Sequence, residues 1–177
     1  FESGDETYYG HLEGEKILVL DGNIFGEYVE NGIEFDLNSV KLLAPCEPTK
    51  AVCVGLNYRR HAAELTMDVP EEPIIFIKPN TSIIGPYDDI VYWPMVSRLD
   101  YEAELVVVIG KKARNLEPEE VDEYIFGYTA GNDVTGRDLQ KKDGQWTRSK
   151  SFDTFLSFGP CIVKGLDITE VKVQSFL

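Results

Sequence analysis

The sequence predicts a mixed, β-rich α/β protein with short helices and a small β unit at its N-terminus. Two observations carry this. Apolar residues come mostly in short runs bounded by Gly, Pro, Asn and Asp, which is the pattern of strands between turns. Segments that could form helices are few, brief and quickly ended by proline or glycine.

Taken in order, residues 1–46 read as a small antiparallel β unit. Thr7–Gly10, Lys16–Leu20 and Ile24–Val29 are strand candidates separated by Glu-Gly and Asp-Gly turn signals. No cluster of catalytic residue types appears there, and His11 beside a turn reads as a surface residue. Leu43–Thr49, with two prolines, is the connector.

Residues 47–177 carry the chemistry. Ala51–Gly55 is a short apolar strand, and Asn57 is placed to cap a helix running to Leu65. Val69–Pro73 ends that helix, and Ile74–Lys78 is the next strand. Asp100–Ile109 reads as a long strand, and Pro118 opens a helix with Val121 and Ile125 on one face. Gly127–Val134 is a further strand, running into a polar loop with Trp146 and Lys150.

The bulk properties narrow the function. A chain of 177 residues can bury one core with a small appendage. A net charge of −14 repels phosphates and excludes an ordinary nucleic-acid binder. There is no uncharged apolar run of about 18 residues, so no membrane span is expected. Cys46, Cys53 and Cys161 show no C-x-x-C spacing and read as reduced thiols, which suits the cytoplasm. Both ends look cut: Val171–Leu177 alternates like a strand and stops on two apolar residues, so the natural protein is expected to continue.

Asp100–Ile109 is the most informative stretch. With a period of two, Glu102, Glu104, Val106 and Val108 share one face, and Tyr101, Ala103, Leu105, Val107 and Ile109 share the other. Such a strand is expected to be covered on both sides. Two same-face carboxylates lie about 7 Å apart, and burying either one ionised and unpaired costs several kcal/mol. Three arrangements relieve that cost: exposure of this end of the strand, pairing with Arg98 or another base, or a hard divalent cation. A third carboxylate could come from Gly131–Asp138, where Asp133 and Asp138 compete and spacing does not separate them. His61 stands three residues before Glu64, on one helical face, as a general base and its orienting carboxylate would. An incidental pair on a surface helix is the plainer alternative.

Together these pieces match one family pattern. Val54–Leu65, Pro73–Pro79, Ile84–Pro86, Asp100–Leu105, Asn132–Asp138 and Trp146–Asp153 occur in its order. The chain over about 50–165 thus resembles the fumarylacetoacetate hydrolase family, in its smaller acylpyruvase-like branch. The resemblance implies a rolled β-sheet fold with metal ligands at Glu102, Glu104 and Asp133, favouring Asp133 over Asp138. It implies a catalytic His61/Glu64 dyad on a lid helix, and a Lys150 that holds or polarises substrate oxygens. Arg137 and Gln140 would line the same pocket for substrate, and Lys78 would approach it or face solvent. Two departures stand out: Gly136 replaces a common alanine, and a later Gly-Thr-Pro loop is absent.

The implied cofactor is Mg2+, with Mn2+ or Ca2+ as alternatives, and the implied partner is a small 2-oxo acid handled by a homodimer. The first expectation is hydrolysis of a carbon–carbon bond in acylpyruvates or related 2,4-dioxo acids. The alternatives are decarboxylation, isomerisation or tautomerisation of small dicarboxylic 2-oxo acids. A non-enzymatic reading, an acidic calcium- or partner-binding β domain, gains weight if Glu102 and Glu104 are exposed or if calcium binds and magnesium does not.

Overall fold

A computed structural model describes residues 1–59, 63 and 68–176. The N-terminal unit holds β1 (Glu2–Ser3), β2 (Glu6–Thr7), β3 (Tyr9–Glu13), β4 (Lys16–Gly22) and β5 (Tyr28–Asp36). β1 pairs with β2, and β3, β4 and β5 form an antiparallel sheet in that order. The strand expected over Ile24–Val29 begins only at Tyr28. Asn23 diverts the chain before it: its side chain accepts from Phe25 N, and its carbonyl accepts from Gly26 N. These two bonds close a turn where an extended run was expected.

The remaining strands are β6 (Lys50–Gly55), β7 (Ile74–Pro79), β8 (Ile83–Ile84), β9 (Leu99–Asp100), β10 (Ala103–Ile109), β11 (Ile125–Asp133), β12 (Thr135–Gly136) and β13 (Leu156–Val163). A four-stranded sheet has the order β10-β11-β13-β8, with β6–β7 and β9–β12 as separate pairs. β13 was not anticipated from the sequence; it pairs antiparallel with β11 and parallel with β8. The helix placed over 57–65 falls largely outside the described residues.

Four further expectations are corrected. The strand expected over Asp100–Ile109 is broken at Tyr101–Glu102. There Asn132 inserts its side chain, accepting from Glu102 N at 3.0 Å, while Asp133 N donates to Glu102 O at 2.9 Å. The odd face of β10 is not covered, for Tyr101, Val107 and Ile109 are all exposed. The segment after Pro118 is a 3-10 helix, Pro118–Tyr124, closed by a Glu117/Glu120 capping box, and Ile125 already belongs to β11. Val171–Phe176 has no regular structure.

The polar loop expected around Trp146 is in fact two short helices, α1 (Arg137–Asp143) and α2 (Thr147–Lys150). α1 ends on Gly144, whose φ of 69° lets its N–H return to Gln140 O. One core cluster joins Ile24 and Cys46 to Val108, Leu156 and Phe158. Leu20, Val106 and Phe126 pack against it, so the N-terminal unit shares apolar contacts with the larger sheet. A second cluster, Val96, Val134, Leu139 and Phe155, seats α1 against the end of β11. The three cysteines are free thiols.

Candidate active site

The break before β10 and the end of β11 lie side by side, because Ala103 pairs with Asn132 and Glu104 with Gly131. This register brings Glu102 and Asp133 to one end of the sheet. Val106 and Val108 continue the acid-bearing face of β10 into the core, so the carboxylates mark where that face opens into a cleft. The cleft has a volume of about 1470 Å³. Glu102, Glu104, Asp133, Arg137, Gln140 and Lys150 all line it. These are six of the eight residues singled out from sequence; the other two, His61 and Glu64, lie outside the described residues.

The charges are closely interlocked. Lys150 Nζ donates to Glu102 Oε2 at 2.9 Å and to Asp133 Oδ2 at 2.6 Å. Arg137 Nε donates to Asp100 at 2.8 Å, one terminal nitrogen donates to Gln140 Oε1 at 2.7 Å, and the other to Glu102 Oε1. Thr135, fully buried, adds a hydroxyl to Glu102 Oε1 at 3.0 Å. A base therefore does neutralise Glu102. It is Lys150 with Arg137, whereas Arg98 pairs with Asp100 at 2.9 Å. Arg137 is itself largely buried and braces the acids from the start of α1.

Burial works to raise the Glu102 carboxyl, but Lys150 and then Arg137 outweigh it and hold it below its ordinary value. Among the described residues no lysine or arginine forms an ion pair with Glu104. Burial, and next the nearby Asp133 charge, push it up to about 7, against a hydrogen bond with Tyr58 that lowers it.

Asp138, the competing third ligand, is turned away. Its carboxylate accepts the backbone N–H groups of Ser97 and Arg98 and tethers α1. Lys78, expected to approach the site or face solvent, is wholly buried. The sequence held a signal for it: Ile74, Phe76 and Lys78 share one strand face, so a lysine continues the face of an aromatic. Thr135 and Asn132 had no comparable signal, since their roles depend on where β9 and β10 meet β11 and β12. His11 is exposed and pairs with Glu30, as its position beside a turn suggested.

A hard divalent cation fits this donor set. Asp133 Oδ1 is buried and accepts no directed hydrogen bond among the described residues. Lys78 Nζ is 2.7 Å from it, but its three protons are directed to backbone carbonyls. With Glu104 beside it, the site offers carboxylate oxygens of the kind such ions take. Among the described residues no three His, Cys, Asp or Glu side chains are already gathered around one point. Lys150 stands between Glu102 and Asp133 instead.

Carboxylates and cations thus converge in one cleft of a β-rich fold. Residues 50–175 match the fumarylacetoacetate (FAA) hydrolase C-terminal family, and residues 1–45 match the Rv2993c-like N-terminal family. The chain belongs to the fumarylacetoacetate hydrolase family. It is 48% identical over 161 residues to an uncharacterized protein of Methanocaldococcus jannaschii, covering 91% of this chain and 65% of that one. It is 45% identical over 128 residues to the mitochondrial oxaloacetate tautomerase Fahd2a of Rattus norvegicus, covering 71% of this chain and 41% of that protein. The solved 5-carboxymethyl-2-hydroxymuconate delta-isomerase of Mycobacterium smegmatis superposes with a TM-score of 0.85 at 40% identity, covering 93% of this chain and 65% of that chain. The chain thus spans about two thirds or less of the length of these relatives. The strand-rich fold with short helices expected from sequence matches such neighbours. No described helix is long and apolar enough to cross a membrane.

Proposed function

We propose that this protein converts the enol and keto forms, or the double-bond isomers, of a small dicarboxylic 2-oxo acid. The observation that carries the reading is the Lys150 ammonium, held between Glu102 and Asp133 on the wall of the cleft. A fixed cation in a partly dry site stabilises the charge that develops on an enolate oxygen. Arg137 and Gln140, already bonded to one another at the cleft wall, supply donors for a substrate carboxylate. Glu102, Glu104 and Asp133 would hold Mg2+, with Mn2+ or Ca2+ as substitutes. A bound cation supplies Lewis-acid polarisation of the substrate's oxygens. Lys150 adds a proton donor on the same side at Glu102 Oε2, and the buried Thr135 holds the other oxygen, Oε1. In this proposal residues 47–177 carry the chemistry and 1–46 are a non-catalytic unit. A cytoplasmic homodimer is the expected form.

Isomerisation is preferred to hydrolysis of a carbon–carbon bond because the tautomerase and isomerase relatives are named for the gentler chemistry. Hydrolysis also needs a water aimed at a distal carbonyl. Its motivating pair, His61 and Glu64, rests on spacing and the family resemblance and lies outside the described residues. Decarboxylation shares the same enolate and is separated by its products. The non-enzymatic reading gains no support from exposure, since Glu102 and Glu104 are both partly buried.

The test is to present purified protein with enol oxaloacetate, acetylpyruvate and a 2-hydroxy-dienedioate, with Mg2+ and after chelation. Faster loss of enol absorbance without release of carbon dioxide or cleaved acid is expected, and chelation should remove it. Cleavage of acetylpyruvate that disappears in His61→Ala, with metal binding retained, would restore the hydrolytic reading.

A further inference from the structure

We propose that Lys78 is a positioning residue for this site, acting from behind it rather than on the substrate. The side chain is wholly buried, and its ammonium donates to three backbone carbonyls from three segments of the chain. These are Val134 O at 3.0 Å, Lys150 O at 2.6 Å and Phe155 O at 2.7 Å. The carbonyls lie 56, 72 and 77 residues along the chain from Lys78. They belong to the link between β11 and β12, the last residue of α2 and the residue preceding β13.

Each contact is next to a functional position. Val134 follows Asp133, so fixing its carbonyl fixes the plane of the peptide beyond that acid. Lys150 is the last residue of a four-residue helix, too short to hold its own C-terminus. An ammonium on that carbonyl completes the helix end and sets the Cα from which the Lys150 side chain reaches Glu102 and Asp133. The same ammonium lies 2.7 Å from Asp133 Oδ1, so it also supplies the charge that keeps this buried carboxylate in place.

Burial of an ammonium costs several kcal/mol unless it is fully bonded. A leucine or methionine would fill the same space at lower cost. Lys78 is spent on bonds that converge on Asp133 and Lys150, and this convergence is the reason to read it as more than filler. The phenyl ring of Phe155, with its centroid 5.9 Å away, closes the remaining side.

The proposal rests on the isomerase reading only for its kinetic readout, so a second readout is independent of it. Lys78→Met keeps the length of the side chain and removes both charge and donors. Lys78→Arg keeps a cation and donors, and carries the test if the methionine variant does not fold. Three measurements are made on the whole chain: turnover of enol oxaloacetate with Mg2+, thermal unfolding, and hydrogen exchange of backbone amides. For Lys78→Met, kcat should fall at least 30-fold while KM moves less than 3-fold. Amide exchange should rise at least 10-fold in 147–150 and 133–135 while the amides of β3–β5 keep wild-type rates. For Lys78→Arg, both effects should be smaller in the same direction. A folded Lys78→Met with wild-type kcat overturns the proposal. So does a uniform rise in exchange across the chain with kcat unchanged in the folded fraction, which is the mark of a purely structural lysine. If Lys78→Met does not fold, an Arg variant with wild-type kcat and wild-type exchange at 147–150 overturns it as well. If wild-type protein does not turn over oxaloacetate, the functional reading fails, and exchange at 147–150 decides the role of Lys78 alone.

Discussion

The Lys150 ammonium lies 2.6 Å from Asp133 Oδ2, and both side chains are almost wholly buried. Lys150 therefore serves as counter-ion, the proposed function adds a second role as reagent, and the two separate on substitution. Lys150→Met leaves Asp133 and Glu102 facing one another with less positive charge. Breaking a buried pair in this way costs about 3 kcal/mol. The variant should melt well below wild type in chelator, and Mg2+ should raise its melting temperature more than that of wild type. Turnover should drop about 100-fold or more even when the metal is supplied. Calorimetry with and without Mg2+ checks this; equal melting in chelator would remove the counter-ion role.

Glu104 makes stability depend on pH in an unusual direction. Its carboxyl titrates near 7 when folded, above the ordinary value of 4.5. Between those values the folded protein holds a proton that the unfolded chain has lost, so stability must fall as pH rises through this window. In chelator, the urea midpoint of wild type should be higher at pH 5 than at pH 8. Glu104→Gln should show a shallower fall over the same range. A midpoint that climbs with pH only in wild type would contradict the burial argument.

Gly55 is the seat of Trp146. A Cβ at this position would collide with the indole, whose ring also meets Phe76 edge-on at 5.6 Å. Phe76 in turn lies under the Lys150 ammonium, 5.0 Å from ring centroid to nitrogen. Gly55→Ala should therefore cost about 1–3 kcal/mol and disturb α2 together with Trp146. A shifted tryptophan emission, a lower melting temperature and reduced kcat are expected together. Unchanged emission would show that the indole does not rest on this glycine.

Cys53 should resist alkylation. Burial first, and then the Asp133 charge, push its thiol up to about 11 from an ordinary value of 9. The thiolate fraction near neutral pH is then about 100-fold lower than for an ordinary thiol. Mass spectrometry after brief iodoacetamide treatment at pH 7.5 should find Cys53 unmodified in folded protein and labelled after denaturation. Rapid labelling of the folded chain would refute the shift.

Much of the fold was legible because strand residues alternate and turns use few residue types. Lys16–Leu20, Ala51–Gly55 and Ile74–Lys78 all fall within observed strands, and Gly127–Val134 overruns its strand by the single residue Val134. Errors arose where side chains redirected the backbone. Asn23 turned a strand candidate into a turn, and Asn132 split the strand that carries Glu102. α1 and α2 were missed because their helical faces are short. α1 is held by Leu139 in a distant apolar cluster and by Asp138 bonding to Ser97 and Arg98.

For the site itself, the sequence alone determined that carboxylates at Glu102 and Glu104 needed compensation, because period two placed them on a face continuous with apolar residues. Family motifs added Asp133, Arg137, Gln140 and Lys150, and all of them reach the same cleft. Only the tertiary structure decided which cation answers which acid. Lys150 rather than Arg98 meets Glu102, Asp138 is turned away, and a buried Lys78 ties Val134, Lys150 and Phe155 together. Local patterning reports which face a side chain occupies. Hydrogen bonding between residues up to 77 positions apart depends on strand register and helix placement, and these exist only once the chain has folded.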